Sequence, residues 1–165
     1  MTDFDVKERR FEQDIEEYLI TEGGYEKGNP SAFNRSLALD TGTFVSFIKN
    51  SQPKKWERYV RIYGADSEKQ IVERFCREVK MVGLLRVLRK GFTDRGITFQ
   101  VVFWKPETSL NTTTMAQYEA NTLHCTRQLH YSVHNENSID IVLLVNGIPV
   151  VSMALKCQFT GQDTT

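Results

Sequence analysis

The sequence predicts a mixed α/β fold of the α+β type, a central mixed sheet flanked by helices, built as a single domain over residues 1–165. Three observations carry that expectation. Apolar residues recur at helical spacing up to about Gly91, and beyond it β-branched and aromatic runs take over. The last feature is an apolar hairpin, Ser138 to Gln158, folded around Asn146-Gly147. Helices first and strands later, in a chain long enough for one core, argue for this class.

Taken in order, Phe11, Ile15, Tyr18 and Leu19 mark one face of a helix from Val6 to Glu22, stopped by Gly23-Gly24, with an acidic outer face of Glu8, Glu12, Glu16 and Glu17. Tyr25 to Arg35 reads as a loop before a short helix near Thr43 to Lys49. Pro53 suits a first helical turn with Trp56, Tyr59 and Val60 as its apolar side. Asp66 and Ser67 are placed to cap a longer helix in which Ile71, Phe75, Val79 and Val82 keep one face. Ile97 to Trp104 has strand composition, Asn111 to Ala120 reads as a brief helix, and Leu123 to Tyr131 as a strand.

With 21 basic and 21 acidic residues the net charge is zero, so a nucleic acid would be held by a local patch and not by the overall field. The three cysteines form no Cys-x-x-Cys pair, which argues against a disulfide framework or zinc cluster and for a reducing compartment. The amino terminus is too charged for a signal peptide, and no apolar run nears the ~20 residues of a membrane span. A cytoplasmic protein without membrane association is expected.

The hairpin carries the chemistry. Asp140 stands on its first arm and Lys156 on its second, with Ala154 two residues before the lysine. A carboxylate on one strand, followed on the next by a carboxylate, one residue and a lysine, is how metal-dependent nucleases of the PD-(D/E)xK type hold a divalent ion beside a water. A plain two-residue turn at Asn146-Gly147 would put Asp140 and Lys156 on opposite faces. A type I turn with a G1 bulge at Gly147 instead puts Asp140, Ser152, Ala154, Lys156 and Gln158 on one face, and the bulge is the expectation. An isolated carboxylate among the aliphatics of Ser-Ile-Asp-Ile-Val-Leu-Leu-Val would cost several kcal/mol unless paired or metal-bound. Magnesium supplies such a partner, and a nearby lysine orients the water and steadies charge on the phosphate.

The runs Gln117-Tyr-Glu-Ala-Asn, Arg127-Gln-Leu-His-Tyr-Ser, Ile139-Asp-Ile-Val-Leu-Leu-Val-Asn-Gly-Ile-Pro-Val-Val and Leu155-Lys closely resemble the amino-terminal nuclease domain of the R subunit (HsdR) of type I restriction endonucleases. The resemblance extends back to Arg10-Phe-Glu-Gln-Asp-Ile-Glu, Gln52-Pro-Lys-Lys-Trp and Val87-Leu-Arg-Lys-Gly, and so covers nearly the whole chain. It implies a restriction-endonuclease-like fold and magnesium-dependent DNA cleavage in the restriction of foreign DNA, as part of an ATP-dependent type I site-specific deoxyribonuclease. The family's aspartate and lysine map onto Asp140 and Lys156, and its glutamate onto Ala154, which implies a disabled site. The resemblance also implies DNA and the modification and specificity subunits as partners, with ATP used only by a translocase part. The family's Gln-x-x-x-Tyr helix and that translocase are not in this sequence, so a fragment is expected. The other functional class is a non-catalytic DNA-holding or subunit-docking module of the same assembly.

Glu12 is a candidate to complete the metal site, against a solvated helix face beside Glu8 and Glu16. Arg127 and Gln128 are candidates to contact phosphate or orient the site, against edge-strand residues facing water. Arg86, Arg89, Lys90 and Arg95 gather around a glycine-containing turn, with Arg89 and Lys90 the main candidates for a DNA backbone, although a basic helix end also suits the helix dipole. His124, His130 and His134 have no metal-ligand spacing with a cysteine, and no glycine-rich phosphate loop is present for ATP.

Overall fold

A computed structural model describes residues 3–156. In chain order its elements are α1 (Asp3–Thr21), β1 (Glu26–Lys27), a 3-10 turn (Pro30–Ala32), β2 (Phe33–Asn34), β3 (Leu39–Asp40), α2 (Thr41–Ser51), α3 (Pro53–Tyr63), a second 3-10 turn (Gly64–Asp66), α4 (Ser67–Val82), α5 (Leu84–Lys90), β4 (Phe92–Asp94), β5 (Ile97–Phe99), α6 (Thr112–Glu119), β6 (Leu123–His130), β7 (Ser138–Val145) and β8 (Ile148–Met153). The class is mixed α/β, as expected. Two compact units divide the chain: the first holds the residues up to Ala38, Leu123–Leu144 and those from Pro149 onward, and the second holds Leu39–Thr122 and Val145–Ile148.

In the first unit a four-stranded sheet runs in the order β1-β6-β7-β8, with β1 parallel to β6 and Lys27 opposite Cys125. β7 is buried on both faces, because Ile141 and Leu143 join Cys125 in one cluster while Val142 and Leu144 join Leu129 in another. Cys125 and Leu129 are four apart and would share a face of a regular strand. They are separated because Gln128 sits in the left-handed region at φ 50°, which kinks β6 in the manner of a bulge.

α1 has no glycine or proline to interrupt it and packs Ile15 and Leu19 onto the cluster of Cys125, Ile141 and Leu143. Its inward face departs from the sequence reading. Phe11 and Tyr18 are 52% and 66% exposed, whereas Glu12 and Glu16, assigned to a solvated face, are each only 4% exposed. The cause is Arg127 on β6, which supplies a cation beneath both carboxylates.

In the second unit α2 is capped by Asp40, whose carboxylate accepts from the Thr43 backbone N–H at 3.0 Å and the Thr43 hydroxyl at 2.7 Å. α3 starts at Pro53, and its Tyr59, fully buried, donates to Asp94 together with Tyr63. Asp66 makes no capping bond to α4, and the Ser67 hydroxyl donates to Gly64 O at 2.7 Å instead. Gly83, at φ 86°, ends α4 and separates it from α5, a break the helical periodicity did not reveal.

The strand expected over Ile97 to Trp104 stops at Phe99 and pairs with β4, Phe92 facing Phe99. The next residues bond to side chains in place of a strand. The amide of Gln52 donates to Gln100 O and accepts from Gln100 N–H, each at 2.9 Å, and Asn121 does the same for Phe103.

The hairpin turn is also a correction. β7 ends at Val145 and β8 begins at Ile148, and Asn146 and Gly147 have φ of 53° and 80°. Positive φ at both central residues is the mark of the tight type I′ turn, not of a type I turn followed by a bulge. Its geometry is imposed by packing within the second unit. Asn146 is fully buried, its amide donating to Val101 O and Asn121 Oδ1 and accepting from the Thr122 N–H. A Cβ on Gly147 would lie 2.4 Å from Asp40 O.

Candidate active site

Four of the residues singled out in the sequence meet in the first unit. The kink in β6 turns the side chains of both Arg127 and Gln128 toward α1, and there they border a cavity of about 460 Å³ with Glu8, Arg9, Glu12 and Asp140. Every residue of that lining is charged or polar.

The Arg127 guanidinium is turned onto α1. Its Nη2 lies 3.3 Å from Glu12 Oε2 and its Nη1 3.5 Å from Glu16 Oε2, and it donates to Arg9 O at 3.3 Å. The two glutamates are therefore accommodated inside the fold because a cation is built in beside them. Nearby, the Cys125 thiol is pushed up first by burial and then by Glu16, with Arg127 opposing.

Gln128 bridges the carboxylates. Its Nε2 donates to Glu12 Oε1 at 2.8 Å and to Asp140 Oδ1 at 3.4 Å, and its Oε1 accepts from the Ser138 hydroxyl at 2.7 Å. The other oxygen of Asp140 accepts from the Leu155 backbone N–H at 2.7 Å. That bond ties the segment after β8 to the aspartate through its main chain.

β8 ends at Met153, so strand alternation no longer fixes which way Ala154 and Lys156 face, and both are exposed. The turn bulge that was to align them with Asp140 is absent. Gln158, assigned to the same face, and Cys157 lie outside the described residues. Arg89 and Lys90 belong to the last turn of α5, in the second unit.

Among the described residues no group of three or more His, Cys, Asp or Glu is placed to hold a metal ion. The donor set nevertheless fits a hard cation in part: Glu12 and Asp140 border one cavity, and the donors spanning them come from a single neutral amide. Glu8 brings a third carboxylate to the lining, but the three are not placed to hold one ion, and Ala154 has no side-chain oxygen to add. The burial of Glu12 was not legible in the sequence, because its partner Arg127 lies on a strand of mixed polar and apolar residues far along the chain.

Among the described residues no helix is long and apolar enough to cross a membrane. The family model described as type I restriction enzyme R protein N terminus matches residues 6–163 of the chain. No curated protein and no solved structure matches it.

Proposed function

Because the chain belongs to the family of type I restriction enzyme R protein N termini, we propose that it is the DNA-cleaving part of such a subunit, a PD-(D/E)xK domain using magnesium at Asp140 and disabled at Ala154. The observation that carries this reading is the convergence of Glu12 and Asp140, from opposite ends of the chain, on one polar cavity. These two residues would hold the ion. Bound there, it would acidify a water and neutralise charge on the phosphate.

The chain's own residues set the rest. Arg127 pairs with Glu12 Oε2 at 3.3 Å and so holds that carboxylate at the border of the cavity. Lys156 adjoins the residue bonded to Asp140 and supplies a cation for the charge that develops on the phosphate. Ala154 offers no side-chain oxygen. Magnesium needs near-octahedral oxygen ligands, so the missing carboxylate lowers cleavage on the order of a thousandfold or more. The partners are DNA and the modification and specificity subunits, with ATP consumed in the translocase part of the whole enzyme. With no net charge, the isolated chain holds DNA weakly and in a salt-sensitive way.

The reading as a non-catalytic DNA-holding or docking module draws on a different observation, that both carboxylates already have N–H donors. Plasmid cleavage with magnesium and ATP separates the two. R subunits carrying Ala154, Ala154→Glu, and Ala154→Glu with Asp140→Ala are compared, and only the second is expected to cut. Robust cutting with Ala154, or equal cutting with and without Asp140, overturns the assignment.

A further inference from the structure

Gln128 carries a backbone cost that packing does not explain. It is a non-glycine residue at φ 50° in the middle of a strand, a conformation that costs about 1 kcal/mol or more. Its side chain is also exposed, so no burial of apolar surface offsets the strain. What the strain achieves is geometric. It places two consecutive side chains of β6 on the α1 side, so that Arg127 neutralises Glu12 while Gln128 reaches both Glu12 and Asp140.

The single Nε2 group donates to carboxylates on two different elements, as a cation between them would attract both. Without that amide these side-chain hydrogen bonds joining the two carboxylates would be lost. The Ser138 hydroxyl fixes the amide's other end and so its orientation.

We infer that Gln128 is a positioning residue of the site, holding the Glu12 and Asp140 carboxylates toward one another at the cavity through a single amide nitrogen. This rests on the reading of the site as a divalent-metal centre. The amide acts through the two carboxylates and not on DNA, so of the two roles expected from sequence this is the orienting one and not the phosphate contact.

The structural and positioning roles predict opposite responses to glycine. Gln128→Gly relieves the positive φ and removes the amide, so the fold is as stable as before or more stable. Loss of a group that orients metal ligands lowers affinity about tenfold or more. Mn²⁺ binding, followed by the paramagnetic resonance signal of the free ion, is measured on the chain carrying Ala154→Glu, alone and with Gln128→Gly or Gln128→Glu.

The expected result is about tenfold weaker binding for Gln128→Gly at an unchanged or higher melting temperature, with Gln128→Glu restoring affinity by adding an oxygen ligand. Equal affinity with Gln128 and with Gln128→Gly overturns the positioning role while the metal reading stands. An Ala154→Glu chain that binds no Mn²⁺ overturns the metal reading, and the positioning role falls with it. A loss of affinity in Gln128→Gly that tracks a lowered melting temperature assigns Gln128 a purely structural part and likewise overturns it.

Discussion

Replacing Arg127 by methionine keeps the length of its apolar stem and removes its charge. Glu12 and Glu16 would be left with side chains only 5% and 6% exposed, while Lys27, the other cation near Glu16, is 74% exposed at 3.8 Å. Removing one partner of a buried ion pair costs about 3–5 kcal/mol. Because the Arg127 side chain is itself 25% exposed, water already screens part of the interaction, and about 3 kcal/mol is the working figure. For a chain of this size that corresponds to a fall in melting temperature of roughly 6–12 °C. Both tryptophans, Trp56 and Trp104, lie in the second unit, so their fluorescence would miss the event. The suitable assay is hydrogen exchange at the amides of α1, read alongside far-ultraviolet dichroism in urea. Adding Glu16→Gln to Arg127→Met should recover about half of the loss, since one uncompensated charge is removed. A cost below about 1 kcal/mol, or no rescue, would show that Arg127 is not the internal counter-ion and would return it to the role of a phosphate contact.

Two further expectations concern the second unit. Asn146→Ala removes an amide that satisfies Val101 O, Asn121 Oδ1 and the Thr122 N–H in a fully buried position, and should cost about 3 kcal/mol in urea denaturation. A loss under about 1 kcal/mol would mean that water replaces those bonds. Burial, and next the hydrogen bond to Asp94, push the Tyr59 phenol far above its ordinary value of 10.0. A raised value means that the neutral form is favoured in the fold, so this stabilisation is complete below about pH 10 and is lost as pH climbs beyond it. Stability should therefore fall in alkali, and the fall should flatten in Tyr59→Phe.

Most elements were legible because their signals are local. Pro53 begins α3, Asn111 caps α6, and the β-branched run of Ser138 to Val145 is β7 at its full length. What escaped depends on partners distant in sequence. Nothing near Glu12 announces Arg127, so its helix face reads as solvated, and the amides of Gln52 and Asn121 end a run that has strand composition throughout. The turn failed for a related reason. Asn-Gly admits more than one geometry, and the choice was made by bonds from Asn146 to Val101, Asn121 and Thr122, which no local rule contains. At the site, the pairing of Asp140 with Gln128 follows from a backbone kink that has no sequence signature.

Asn146-Gly147 is also the dipeptide most given to spontaneous deamidation, in which the glycine nitrogen attacks the asparagine side chain and closes a succinimide ring. In the fold that attack is blocked, because the amide is held by three residues and the backbone is locked at positive φ on both sides of the reacting bond. Unfolding removes the block. An aspartate formed there would bring a carboxylate against Val101 O and Asn121 Oδ1, two groups that accept hydrogen bonds and cannot donate to it through those oxygens. A molecule that ages while open would thus be impaired in closing again, so the turn that completes the hairpin also records, as an irreversible chemical mark, how long the chain has spent unfolded.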